Sequence, residues 1–281
     1  MQKIIVPTDF SENALNALYY AVELFKYEYC EFYIIHAYAD EVYNNNDMTS
    51  RKRFEENKAS VLKHSEGTLT SLRDDLLLVS PNPRHTYITL SLFGSLVDET
   101  NELVDKENID SIVMGTRGKT DDRTITFGSY TLQVLKYVKC PVLAIPSEYK
   151  YTQPKNILFP TDFKLPYKRR ELKILHCLAK SYRSVIHFLY VSKYERLAFR
   201  QDDHKLFLSE TLAGNKIEFH TVNSDDVTMS INESISRYEV QMLVMINSRQ
   251  SYLESLLYES KIDTIGLHLK VPFLVMQNLS R

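Results

Sequence analysis

Apolar residues fall along this chain in short solid blocks, separated by stretches in which they recur at helical spacing. Ile4-Ile5-Val6 is a continuous apolar run ending at Pro7, the pattern of a strand buried on both faces. Ser11 stands where a hydroxyl can accept a bond from an unpaired first-turn N–H. Ala14, Ala17, Leu18, Ala21, Leu24 and Phe25 follow at helical spacing, so a capped helix with one apolar face is expected. Residues 32–37 read as a second strand. From 48 to about 78 the chain is charged and helix-favouring, with Phe54, Val61, Leu62 and Leu69 on a buried stripe. Residues 86–93, rich in β-branched and aromatic side chains, predict a third strand, and Gly94 permits a sharp turn into the next helix. Strand, helix and strand are then expected at 109–114, 129–138 and 142–145.

The same order returns in the second half. Lys3-Ile-Ile-Val-Pro-Thr-Asp9-Phe10 is nearly respelled by Lys155-Asn-Ile-Leu-Phe-Pro-Thr-Asp162-Phe163, with Pro7 and Pro160 153 residues apart. Ser111-Ile-Val-Met114 matches Met242-Leu-Val-Met245, and Cys140-Pro-Val-Leu-Ala144 matches Val271-Pro-Phe-Leu-Val275, both 131 residues apart, so the second copy is 22 residues shorter in its middle. A repeat this long means duplicated domains, not a solenoid of roughly 20–50-residue units. Strands are expected at 157–159, 185–191 and 217–222. Pro166, whose missing N–H is not needed in a first turn, is expected to open the helix between the first two. Only one short helical stretch fits in 192–216, so most of the deletion belongs there. The polar junction 146–154, bounded by prolines, divides the chain into domains 1–147 and 154–281. Alternating strands and helices imply an α/β fold in each half: a parallel sheet flanked by helices, with the strand carboxyl ends on one ligand-binding rim.

Length and composition agree with this. A chain of 281 residues suits two ordinary domains, and 44% hydrophobic with 25% charged residues suits a globular protein. A formal net charge of −2 offers no footprint for nucleic acid or an anionic membrane. No apolar run reaches the roughly 18 residues of a membrane span, and the opening segment reads as a strand and not as a signal peptide. Cys30, Cys140 and Cys177 are odd in number and lack C-x-x-C spacing, which predicts a reduced, cytoplasmic protein with buried thiols. The eight histidines show no metal-ligand spacing. His36, His187 and His220, in or beside apolar strands, are expected to be satisfied core or crevice-edge residues, and no protein-held metal is expected.

The chemistry is concentrated after the fourth strand, in Gly115-Thr-Arg-Gly118-Lys-Thr-Asp-Asp-Arg-Thr-Ile-Thr-Phe-Gly128-Ser129. This G-x2-G-x9-G-S segment holds three of the chain's seven glycines. A phosphate needs backbone N–H groups that approach closely, without a Cβ in the way, and a helix start aimed at the charge. Ser129 and Thr131 add hydroxyl donors, and Arg117, Lys119 and Arg123 can offset phosphate charge. Asp121 and Asp122 could repel a triphosphate, hold Mg²⁺ or face solvent. In the second copy the glycine positions become Ile246, Arg249 and Glu259, and only Ser260 survives. A β-branched Ile is costly wherever the turn needs φ > 0, and Glu259 brings a negative charge, so a phosphate-binding loop is expected in the first half only, one per chain.

This loop, the Pro7-Thr8-Asp9-Phe10-Ser11 start and the Lys139-Cys-Pro-Val-Leu143 ending together resemble the universal stress protein family, through the whole first half and more weakly through the second. The resemblance implies two tandem Rossmann-like domains of the adenine-nucleotide α-hydrolase type, each with a five-stranded parallel sheet. It also implies a loop that cradles the phosphates and ribose of ATP or AMP, with Mg²⁺ carried on the phosphates. Asp9 would approach the adenine side and Ala37 would line the base pocket. Carried over residue by residue, the site is Asp9, Ala37, Gly115, Gly118, Gly128, Ser129 and Thr131, with Arg117 beside the phosphates. Family members dimerise through the last strand of each domain, so the two halves are expected to pack as an intramolecular pseudo-dimer, with a homodimer a further option. The chain offers no Walker lysine, acid–base pair or nucleophile motif, so a regulatory stress-response role is expected and not catalysis, slow ATP hydrolysis being left open. The rival is a nucleotide-independent interaction scaffold of the same fold, presenting some of the 19 tyrosines. Adenylating enzymes of related fold usually carry Ser-Gly-Gly-x-Asp-Ser after the first strand, which Pro7-Thr8-Asp9-Phe10 is not.

Overall fold

The computed structural model describes residues 1–44, 50–118, 127–193, 196–248, 253 and 270–278. The first half runs β1 (Gln2–Pro7), α1 (Glu12–Leu24), β2 (Cys30–Ala37), α2 (Ala39–Tyr43), α3 (Arg51–Val79), β3 (His85–Leu92), α4 (Leu96–Glu107), β4 (Ser111–Gly115), α5 (Ser129–Tyr137) and β5 (Val142–Ile145). The second runs β6 (Asn156–Pro160), α6 (Lys173–Tyr182), β7 (Val185–Val191), α7 (Phe199–Thr211), β8 (Lys216–Val222), α8 (Val227–Arg237), β9 (Met242–Asn247) and β10 (Phe273–Gln277).

Local chemistry accounts for the element starts. Ser11 is extended and its hydroxyl accepts from Ala14 N at 3.2 Å, which caps α1. Ala17, Leu18, Ala21 and Leu24 then bury the helix face that the spacing predicts. Ser50 caps α3 in the same way, so that helix begins at Arg51. The deletion in the second copy is visible as a helix of 13 residues, α7, where the first half has α3 with 29.

Two local expectations are corrected. Pro166 does not open a helix, and α6 starts only at Lys173. The intervening segment instead turns Tyr167 inward, where it is buried and its hydroxyl bonds Thr161 Oγ1. Gly94 has no left-handed backbone. A Cβ there would fall 2.0 Å from Glu99 Oε1, so the glycine makes room for a side chain.

The strands form one ten-stranded sheet in the order β3-β2-β1-β4-β5-β10-β9-β6-β7-β8. Every pair within a half is parallel, and the halves meet where β5 runs antiparallel to β10. Alternate strand residues feed two cores on opposite faces: Ile4, Val6 and Phe32 pack with α1, while Ile5, Tyr33 and Ile35 pack with Val134 and Leu135 of α5. In each half the chain order reverses beside the first strand, between β1 and β4 and between β6 and β9. Crossover helices diverge at such a point and leave a crevice at the strand carboxyl ends. Among the described residues no helix is long and apolar enough to cross a membrane. The three thiols are free; Cys30 and Cys140 are buried and Cys177 is partly exposed.

Candidate functional site

The reversal between β1 and β4 opens a crevice of about 370 Å³. Its walls contain all eight residues picked from the sequence: Asp9, Ala37, Gly115, Arg117, Gly118, Gly128, Ser129 and Thr131. Each arrives at the end of an element. β1 delivers Pro7, Thr8 and Asp9, β2 delivers His36 and Ala37, β4 and the turn that leaves it deliver Met114, Gly115, Arg117 and Gly118, and the start of α5 delivers Gly128, Ser129 and Thr131.

The turn after β1 is built from its own side chains. Phe10 takes a left-handed φ of 63°, unusual for a bulky residue, and Phe163 repeats it at 56° in the second copy. Thr8 Oγ1 accepts from Phe10 N at 2.9 Å, and Thr161 Oγ1 accepts from Phe163 N at 3.0 Å. Asp9 Oδ1 accepts from both the N–H and the hydroxyl of Ser11, at 3.1 and 2.6 Å. That fixes the carboxylate against the glycine loop: a Cβ on Gly118 would lie 2.8 Å from Asp9 Oδ2. A Cβ on Gly115 would lie 3.1 Å from the carbonyl oxygens of Arg117 and Asn13. Neither glycine has a left-handed φ, so close approach, not backbone angle, excludes larger residues here.

The helix start is ready for an anion. Gly128 is the N-cap of α5 and offers no side-chain cap to the first turn. The N–H groups of Ser129, Tyr130 and Thr131 therefore carry the positive end of the helix at the crevice wall. Two sequence expectations change in detail. Gly128 N donates to Thr116 O at 2.8 Å, so this N–H closes the loop and is not a ligand donor. Thr131 Oγ1 donates to Gly115 O at 3.0 Å, which makes that buried hydroxyl a tie between helix and strand and leaves Ser129 as the hydroxyl donor. Lys119, Asp121, Asp122 and Arg123 lie outside the described residues.

The sequence reading missed the opposite wall. α2, a five-residue helix directly after β2, brings Asp40 and Glu41 to the crevice. Tyr130 OH donates to Asp40 Oδ2 at 2.6 Å, linking α5 to α2, and this bond raises the Tyr130 hydroxyl to about pKa 12. His36 Nδ1 lies 2.8 Å from Ser65 Oγ, its Nε2 lies 3.5 Å from Glu41 Oε1, and the Phe10 ring packs 4.6 Å from its own. The adjacent acids of Ala39-Asp-Glu-Val-Tyr43, immediately after a strand, were the available signal. The crevice thus combines an anion-binding end, an apolar stretch at Ala37, Met114 and Leu96, and carboxylates that can accept from hydroxyl or amino groups.

Among the described residues, the corresponding place in the second half is nearly filled. Between β6 and β9 a cavity of about 20 Å³ is lined by Thr161, Asp162, Leu165, Tyr167, Ile246 and Leu253. Ile246 lies within β9 in ordinary extended backbone, as Gly115 lies within β4. Its effect is therefore to fill space, and the strain expected from a positive φ is absent. Asp162 is engaged by Lys164, whose N–H donates at 2.9 Å and whose Nζ lies 3.7 Å away. Arg249, Glu259 and Ser260 lie outside the described residues.

Comparison with known proteins agrees with this geometry. The model of the Universal stress protein family matches residues 1–146. Universal stress protein MJ0531 of Methanocaldococcus jannaschii is 31% identical over 152 residues, covering 53% of this chain and 84% of that protein. Universal stress protein MJ0577 of the same organism is 26% identical over 156 residues, covering 51% and 94%. A solved universal stress protein from Archaeoglobus fulgidus aligns with 98% of this chain and 96% of its own, at a TM-score of 0.68 and 18% identity, so the shared fold spans both halves. With its opening turn, glycine loop and fifth strand all inside a match that takes in more than half of its length, the chain belongs to the universal stress protein family.

Proposed function

We propose that this chain is a nucleotide-binding regulatory protein that holds one adenine nucleotide, ATP or AMP, in the first-half crevice and none in the second. The observation that carries the reading is the contrast between a crevice of about 370 Å³ facing an uncapped helix start and a remnant of about 20 Å³ filled by Tyr167, Ile246 and Leu253. The space that Gly115 and Gly118 keep open suits a polyphosphate, and Arg117 brings a cation to it. Mg²⁺ would travel on the phosphates. The antiparallel union of β5 and β10 supports reading the second half as the fixed partner of the first, an intramolecular pseudo-dimer.

Mass spectrometry of nucleotide released from the denatured protein, paired with calorimetric titration of stripped protein, tests the reading. One equivalent of adenine nucleotide is expected. Two equivalents would refute the single site, and no binding would favour an interaction scaffold. A regulatory binder turns over slowly, so steady-state ATP hydrolysis above about 1 s⁻¹ would overturn the non-enzymatic role.

A further inference from the structure

The half whose crevice is closed carries a different constellation on its outer strands. β7 and β8 are the last two strands of the sheet, paired in parallel with His187 opposite Glu218 and Leu189 opposite His220. Side chains two apart on a strand share a face, so Glu218 and His220 project to the same side as His187. His187 Nδ1 lies 3.0 Å from His220 Nε2 and 3.5 Å from Glu218 Oε2, and His220 Nε2 lies 3.8 Å from that same oxygen. We propose that His187, Glu218 and His220 form a binding site for a divalent transition-metal ion of the zinc class.

The dimensions fit such an ion. A triangle with edges of 3.0, 3.5 and 3.8 Å has a point about 2.0 Å from all three corners. Zinc–nitrogen and zinc–carboxylate bonds are roughly 2.0–2.2 Å, and two ligands of a tetrahedral zinc stand about 3.3 Å apart. Two imidazoles and one carboxylate are a borderline-soft set that suits zinc and its neighbours better than Mg²⁺ or Ca²⁺. Three protein ligands leave the fourth position to water, and exposure rises from 7% at the His187 side chain to 20% at His220 and 38% at Glu218.

The surroundings orient the ligands as a metal requires. Asn156 Nδ2 donates to Glu239 O at 3.4 Å, which turns its Oδ1 toward His187 Nε2 at 3.3 Å. That nitrogen then carries the proton and leaves Nδ1 with its lone pair facing the cluster, the usual support of a metal-bound histidine. Tyr238 stacks on both rings, at 4.9 Å from His187 and 4.3 Å from His220. Lys216 Nζ binds Glu218 Oε1 at 2.9 Å and leaves Oε2 to the cluster.

The duplication supplies a control. In the first half the equivalent strand positions are Tyr33, Ile88 and Leu90, and Ile88 and Leu90 pack against the core. The fold is satisfied by apolar residues there, so the architecture does not demand the His-Glu-His set. No linear spacing announces it, because one ligand comes from a neighbouring strand. Only the i, i+2 pair Glu218-Phe219-His220 was visible in the sequence.

The test uses the full-length, tag-free protein dialysed against chelator and then titrated with Co²⁺ in the visible range and with Zn²⁺ by calorimetry. One equivalent is expected, with intense four-coordinate cobalt bands and a raised Tm that excess Mg²⁺ does not mimic. His220→Gln and Glu218→Gln, both at partly exposed side chains, should each weaken zinc at least 10-fold with an unchanged circular dichroism spectrum, and Asn156→Ala about 10-fold. A wild-type protein that gives neither cobalt bands nor zinc heat would overturn the proposal. So would binding that both ligand variants leave intact, because the ion would then sit elsewhere.

Discussion

A methyl group at position 118 would sit 2.8 Å from Asp9 Oδ2, and Asp9 cannot simply turn away, because Ser11 holds its other oxygen through both N–H and hydroxyl. Gly118→Ala is therefore expected to push the loop and Asp9 apart and to weaken nucleotide binding at least 10-fold. Its unfolding free energy without ligand should stay within about 1 kcal/mol of the parent, since the position is on the surface of a crevice. Calorimetry and denaturant unfolding read the two quantities separately, and full affinity in the variant would remove the close-approach argument. Ile246 gives the converse case. It fills the second crevice as core, so Ile246→Ala should cost about 2–4 kcal/mol of stability. The variant should still bind one nucleotide, because Tyr167 and Leu253 continue to occupy the space. A second equivalent in that titration would show that Ile246 alone closes the crevice.

At the scale of elements, α5 is gripped at both ends by different halves of the chain. Its first turn faces the crevice, while Gln277 Nε2 donates to Leu135 O at 3.0 Å and Asn247 Nδ2 donates to the same carbonyl at 3.1 Å. Gln277 is buried, so Gln277→Ala removes a donor that water cannot replace and should cost about 1–3 kcal/mol, measured by urea unfolding. β3 is fastened to the end of α1 by His85, whose ring lies 3.1 Å from Phe25 O and 3.2 Å from Asn82 Nδ2. Burial lowers the His85 pKa below its ordinary value near 6.5. The unfolded chain then binds more protons than the folded one just below that value, so stability is full above about pH 6.5 and declines as pH falls toward the lowered pKa. His85→Gln should flatten the fall in Tm between about pH 6.5 and 5; an equally steep fall would assign it to other groups. The strands were largely legible in advance because buried parallel strands are solid apolar blocks, and β7 occupies the residues the pattern predicts. α2 and the turn after β6 were not legible. Five residues carry too little periodicity for α2, and Pro166 carries the same local signal whether it starts a helix or a turn that buries Tyr167. The glycine loop was legible as a motif, but the roles of Gly128 N and Thr131 Oγ1 depend on carbonyls brought close only by folding.

Across the whole molecule, the register between the halves is self-complementary. Leu143 pairs with Leu274, its own counterpart in the repeat, while Val142 pairs with Val275 and Ala144 with Phe273, each opposite the counterpart of the other. A two-fold interface between identical units has this register, which supports the intramolecular pseudo-dimer proposed above. Phe127 and Phe273 meet across it with ring centroids 5.8 Å apart, and the cores on both faces of the sheet draw residues from both halves. The union leaves β3 and β8 as the edges of the sheet and covers both β5 and β10. A chain ending at residue 147 would uncover β5, whose four residues are all buried in the full-length protein. An unpaired strand edge with apolar faces is a template for another strand. The shortened chain is therefore expected to self-associate as a two-fold dimer through β5, with Leu143 opposite Leu143 of the second copy. Sedimentation equilibrium would show dimer at micromolar concentration, and Leu143→Lys in the shortened chain should restore the monomer. If the shortened chain stayed folded and monomeric at high concentration, the β5–β10 pairing would depend on features that only the second half contributes, such as Phe273 and Gln277.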